Sequence, residues 1–213
     1  MKLTETQIQG IDTYLKNSEI EFVDVRMEML DHVASEVEYK MVTEKLDFYD
    51  AFKNYMVVNK KQLQKQNKQF TKTTDIKVLK AISKFLIKPT SLLVFGLSFF
   101  ALKLASNHID LLPILRFAPI AILFSMSIYY YFITHFRKKE RYSGLERIGI
   151  ILIFFTQLVQ IFFNPTYEIN PFEGYQTINF VVISFLVVIA LGFMVTLLKL
   201  KKEYTERYKN KFI

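Results

Sequence analysis

Glu28, His32 and Glu36 stand four residues apart in a stretch that reads as helix, so one face would carry oxygen, nitrogen and oxygen donors in a column. Such a column could hold a metal ion. The same spacing arises from ordinary i,i+4 pairing on a solvated helix, and a structural or partner-contact role is the preferred reading. No HExxH motif is present and no second histidine is near in sequence. Cysteine is absent, which excludes disulfides, thiolate metal sites and cysteine nucleophiles. There is no glycine-rich phosphate loop, no GxSxG and no kinase-type motif. The expectation is a protein without catalytic residues, cofactor or metal.

Four other polar residues lie in strongly apolar surroundings. Lys103 and Arg116 fall near the ends of hydrophobic segments, where their long stems can snorkel outward toward Asp110, Glu168 or Glu173. A functional outer charge cluster is the sharper reading. Gln157 and Gln160 lie at i and i+3 inside another apolar segment. Amides in hydrocarbon need partners, so hydrogen bonds between helices are expected, with a small polar cavity as the alternative.

The elements that must position these residues follow from hydropathy. The 213-residue chain is 51% hydrophobic, and its mean hydropathy is +0.19. Four segments meet the requirement of about 20 mostly apolar residues: approximately residues 86–106, 111–133, 145–163 and 178–198. Pro119, inside the second, is expected to kink it.

Charge then sets an orientation. The segment between the second and third spans carries Arg137, Lys138, Lys139, Arg141 and Arg147, and the tail carries Lys199, Lys201, Lys202, Arg207, Lys209 and Lys211. The intervening connections, residues 107–110 and 164–177, contain neither Lys nor Arg. That alternation fits four spans with both termini in the cytoplasm. Tyr129, Tyr130, Tyr131, Tyr167 and Tyr175 fall where interfacial aromatic belts belong. No signal peptide is visible ahead of the first apolar run.

Residues 1–59 hold 12 acids and 6 bases, whereas residues 60–88 hold 9 lysines and one acid. The basic charge thus adjoins the apolar segments, where anionic headgroups lie, and direct nucleic-acid binding is not expected. Within residues 1–59 a Thr4–Gln7 capping box opens a helix carrying Ile8, Ile11 and Leu15. A second helix from about residue 22 to 43 carries Val23, Met27, Leu30, Ala34, Val37 and Met41, a stripe wide enough for two neighbours. Asp47 caps a third, with Phe48, Phe52 and Met56 buried. Residues 60–74 read as a solvated helix or a loose linker. Residues 75–87 read as a basic amphipathic helix with Ile76, Leu79, Ile82 and Leu86 apolar, lying on the inner leaflet. In the tail, Leu200, Tyr204, Tyr208 and Phe212 would form one stripe if the fourth span continues as helix.

The fold class is therefore all-α. It comprises a small N-terminal cytoplasmic three-helix domain (1–59), a basic juxtamembrane neck (60–88), a four-helix transmembrane bundle (86–198) and a basic cytoplasmic tail (199–213).

Tyr14-Leu15, the run Asp24-Val25-Arg26-Met27-Glu28-Met29-Leu30-Asp31-His32-Val33, and Phe48-Tyr49-Asp50-Ala51-Phe52 together resemble the HAAS-type domain, a helical signalling domain associated with helix-turn-helix regulators. The resemblance spans roughly residues 5–58. It implies a cytoplasmic domain ahead of several membrane spans and regulation with a DNA-binding partner, commonly of the PadR type. It also implies that Arg26, Glu28, Asp31 and His32 form an exposed face for partner contact. The expected function is a membrane-anchored, non-catalytic regulatory protein in the cell membrane of a bacterium. Its expected partners are the lipid bilayer, a cytoplasmic DNA-binding regulator and, as an open option, further copies of itself. The alternative is a small four-helix transporter or channel component, working through Lys103, Arg116, Gln157 and Gln160.

Overall fold

The computed structural model describes residues 2–136, 140–163 and 176–208. Among these the chain forms seven helices and no strand. They are α1 (Glu5–Asn17), α2 (Val23–Thr43), α3 (Phe48–Leu86), α4 (Pro89–Ala105), α5 (Leu112–Thr134), α6 (Ser143–Phe162) and α7 (Gln176–Tyr208).

The chain divides into two compact units. The first comprises Met1–Asp75, Lys139–Ser143 and Arg207–Ile213, and the second comprises Ile76–Lys138 and Gly144–Glu206.

In the first unit the capping box forms as expected: the Thr4 hydroxyl accepts from the Gln7 N–H, and the Gln7 amide oxygen accepts from the Thr4 N–H at 2.8 Å. At its other end α1 closes through a left-handed residue, Glu19 (φ 69°), while the Ile20 N–H returns to the Leu15 carbonyl at 3.2 Å. That bond is the six-to-one closure of a Schellman turn, with Ile20 buried beneath it. Ile11 and Leu15 are fully buried, but Ile8 is exposed and contributes nothing to the core.

Helix α2 packs on α1. It buries Val23, Met27, Leu30, Val37 and Met41, with Ala34 half-buried, and also Val25, Met29 and Val33 on an adjoining stripe. A helix sealed on two sides serves as the centre of this unit. Asp47 caps α3 by accepting from the Asp50 N–H at 2.8 Å. Ala51, Tyr55 and Met56 are buried, while Phe52 meets Tyr14 edge-on at 5.2 Å and stacks on Phe48 at 5.8 Å.

The basic stretch that follows is not a loose linker, for α3 runs unbroken through it to Leu86. Gln and Lys are good helix formers, and Thr71 and Thr74 bond back to the carbonyls of Asn67 and Phe70. Its apolar face differs from the expected one: Val78 and Ile82 are buried, whereas Ile76 and Leu79 are exposed.

In the second unit, α3 and α4 meet at a bend of 62°. Pro89 sits in the first turn of α4, where a missing N–H does no harm. The Ser91 hydroxyl, in a buried residue, donates to the Phe85 carbonyl across the bend. The expected first span corresponds to α4, with the bend at its N-terminal edge, and the 17 residues of α4 reach only about 25 Å, short of a full hydrocarbon core. Helix α5 continues through Pro119, which is buried. Leu111, Leu115, Phe180 and Ile183 form a core at one end, flanked by Phe99, Leu102 and Ile122.

Glycines let neighbouring side chains come close. The Tyr130 ring lies where a Cβ on Gly149 would sit, and the Phe85 ring comes to 3.0 Å from the corresponding position at Gly192. Helix α7 continues to Tyr208, carrying the expected tail stripe with it: Leu200 and Tyr204 are half-buried and Tyr208 is buried. Phe212 lies outside the described residues.

By length and composition α5, α6 and α7 can each cross a membrane, and the bent pair α3–α4 brings the number to as many as four.

Candidate functional site

Arg26 is among the most buried charged residues of the first unit, at 5% exposure. Its Nε donates to the Asp12 carboxylate at 2.7 Å, and Nη1 donates to the carbonyls of Glu21 at 3.0 Å and Ile20 at 3.3 Å. The guanidinium therefore satisfies the α1–α2 turn from below, and the expectation of Arg26 on an exposed face is corrected. The sequence signal for this was available in part. Arg26 lies between Val25 and Met27 on a helix whose apolar stripes are broad enough to enclose it. Its carbonyl acceptors, however, depend on the turn geometry.

The other three residues of that set are exposed. Glu28 and His32, one turn apart on α2, share a groove of about 520 Å³ with Gln66, Gln69 and Thr73 of α3, above Met29 and Phe70. The i,i+4 spacing thus produces a polar rim, completed by amides and a hydroxyl from the glutamine-rich stretch. Asp31 is exposed on the same helix. Glu36, the third member of the column, parts from the other two. It is half-buried and acts on Tyr55, whose phenol is pushed above its ordinary range by burial and then by the Glu36 carboxylate. Among the described residues no group of three His, Asp or Glu side chains is placed to hold a metal ion.

A second feature was not legible from local sequence. Residues 140–143 are anchored at the start of α2. The Val23 N–H donates to the Arg141 carbonyl at 2.9 Å, and Asp24 accepts from the Ser143 N–H at 2.9 Å and from the Ser143 hydroxyl. Arg141 also pairs with Glu21 and lies over the Phe22 ring at 5.5 Å, while Tyr142 meets Tyr208 at 6.0 Å. Asp24 thus supplies the N-terminal cap that α6 takes from outside its own sequence. Burial, and then the bond to Glu140, push the Tyr142 phenol well above the usual tyrosine range. Arg137, Lys138 and Lys139, which help to set the expected orientation, lie outside the described residues.

The four apolar-segment residues are dispersed. Lys103, near the end of α4, and Arg116, near the start of α5, are both exposed. Glu168 and Glu173, two of their expected partners, lie outside the described residues, as do Tyr167 and Tyr175. Helix α6 buries Leu145, Ile148, Leu152 and Val159, and Gln157 and Gln160 fall off that stripe and are exposed. They make none of the expected interhelical hydrogen bonds among the described residues.

No family model, curated protein or solved structure matches the chain.

Proposed function

We propose that the chain is a non-catalytic regulatory protein of the cell membrane, crossing it four times with both termini in the cytoplasm. Its first unit binds a cytoplasmic protein through the exposed face of α2. The observation that carries this reading is the groove in which Glu28 and His32 converge with Gln66, Gln69 and Thr73 over an apolar floor. It is polar at the rim, apolar at the base and open, the form suited to a partner's side chains rather than to a reacting substrate. Support for the membrane comes from three or four apolar helices that display Leu92, Phe100, Phe117, Phe124, Phe154 and Ile161 outward. The partner implied by the HAAS resemblance is a DNA-binding regulator of the PadR type. Arg26 is not part of the contact face, which consists of Glu28, Asp31 and His32.

A photoreactive residue placed at His32 in the full chain, in the native cell, tests this reading. Crosslinking followed by mass spectrometry is expected to recover a helix-turn-helix protein. Glu28→Lys is expected to abolish that recovery without changing the amount of chain in the membrane. Recovery of only membrane neighbours, unaltered by the substitution, would sink the reading.

A further inference from the structure

We propose that the second unit holds an anionic phospholipid, its phosphate headgroup in a lysine cradle and an acyl chain in the apolar groove beside it. The inference rests on the membrane reading above. In the last turns of α3, Lys77, Lys80 and Lys84 fall at i, i+3 and i+7, on one face, and Lys88 follows at the extended residue that opens α4. Lys199 of α7 joins them around a cavity of about 320 Å³. No acid lines this cavity, and none of the five ammonium groups has an ion-pair partner among the described residues. Gathering five like charges without a counter-ion is unfavourable, and a multiply charged phosphate relieves it. Thr196 supplies the second observation. It is 4% exposed and lines the same cavity.

A neighbouring cavity of about 510 Å³ decides between a lipid and a free phosphate. Leu86, Pro89, Leu92, Phe95, Phe185 and Val188 line it, and Lys88 lines both spaces. One stripe of α7 serves the pair: Phe185 and Val188 face the apolar space, and Thr196 and Lys199 face the basic one. Between them is Gly192, whose bare Cα admits the Phe85 ring. A ligand charged at one end and hydrocarbon at the other matches this division, as it would at an inner-leaflet interface.

The full-length protein is reconstituted into phosphatidylcholine vesicles carrying a minor fraction of phosphatidic acid, then extracted gently, and the retained lipid is quantified. Wild type is expected to retain phosphatidic acid in preference to phosphatidylcholine. The Lys80→Gln, Lys84→Gln, Lys199→Gln variant is expected to lose that preference by roughly a hundredfold, from the typical contribution of one lysine near anionic lipid. The corresponding triple arginine variant should restore it. Thr196→Val, nearly isosteric and charge-neutral, should fold normally and weaken retention several-fold. Equal retention by the glutamine variant, once it is shown to resist alkaline extraction like wild type, would overturn the proposal and leave the membrane reading intact. Complete displacement by inorganic phosphate would also overturn it, assigning the cradle to a soluble anion. If wild type itself washed out of pure phosphatidylcholine vesicles under alkaline conditions, the membrane reading would fail, and the lipid site with it.

Discussion

At the scale of single residues, charge in the first unit is used for construction. The Arg26 guanidinium meets one carboxylate and two carbonyls in a buried setting. Replacing it with alanine leaves those acceptors unmet, a loss of about 2–4 kcal/mol. Hydrogen exchange on the full chain in detergent should show α1 and the start of α2 losing protection. Unchanged exchange would mean that Arg26 is dispensable there. Asp24 bears on the chain in a different way. Asp24→Ala removes both bonds to Ser143, and loosening of this kind should raise trypsin cleavage after Arg141 by about tenfold, because proteolysis follows the population of the open state. Tyr142 gives a pH dependence of known sign. Its phenol is raised by burial and by Glu140, so the folded state holds this proton more tightly than the unfolded chain does. The stabilisation is complete below pH about 10 and is lost as pH rises beyond it. Titration of tyrosinate absorbance should show a late component that loses amplitude in Tyr142→Phe and shifts partly downward in Glu140→Gln.

At the scale of elements, local signals were read well and distant ones were not. The α1 capping box and the Asp47 cap depend on neighbours within a few residues, and each stands where its residues indicate; the start of α2 takes its partners from residues 140–143. Helix α3 exceeded its expected third-helix length because nothing in residues 60–74 stops a helix: no Gly or Pro interrupts 48–86. That Val78 and Ile82 of its last turns are buried, rather than Ile76 and Leu79, could not be read from periodicity alone, for it depends on what packs against that face. The site was legible only in pairs. Glu28 and His32 follow from spacing, but Gln66, Gln69 and Thr73 come to them only through the packing of α3. Glu19 carries a correction open to test. It occupies a left-handed position that glycine accepts without strain. Glu19→Gly is expected to stabilise the first unit by about 1 kcal/mol, seen as a higher denaturant midpoint, and a lower midpoint would contradict the Schellman assignment.

At the scale of the whole molecule, the proposed orientation makes a labelling prediction. In intact cells, single cysteines replacing Asn107 and Glu140 should react differently with an impermeant maleimide. Asn107→Cys should be labelled from outside, and Glu140→Cys only after the cells are opened. Labelling of Glu140→Cys from outside, with Asn107→Cys reached only after the cells are opened, would refute the four-span arrangement and leave the bent α3–α4 pair as a re-entrant element. The short reach of α4 gives that result a physical meaning, because 17 residues span less than the usual hydrocarbon thickness of about 30 Å.

The anchoring of residues 140–143 at the start of α2 has a bearing on inheritance. A helical module that is contiguous in sequence can be copied, fused and exchanged between genes as one piece of DNA. The first unit here is assembled from three separated stretches of the chain, with Asp24 and Ser143 joined across 119 positions. A recombination event, or a cloning design, that lifted out only the N-terminal stretch would carry Val23 and Asp24 without the backbone and hydroxyl they bond. The heritable unit therefore includes the apolar helices that lie between these stretches, and the helical domain and those helices must change together.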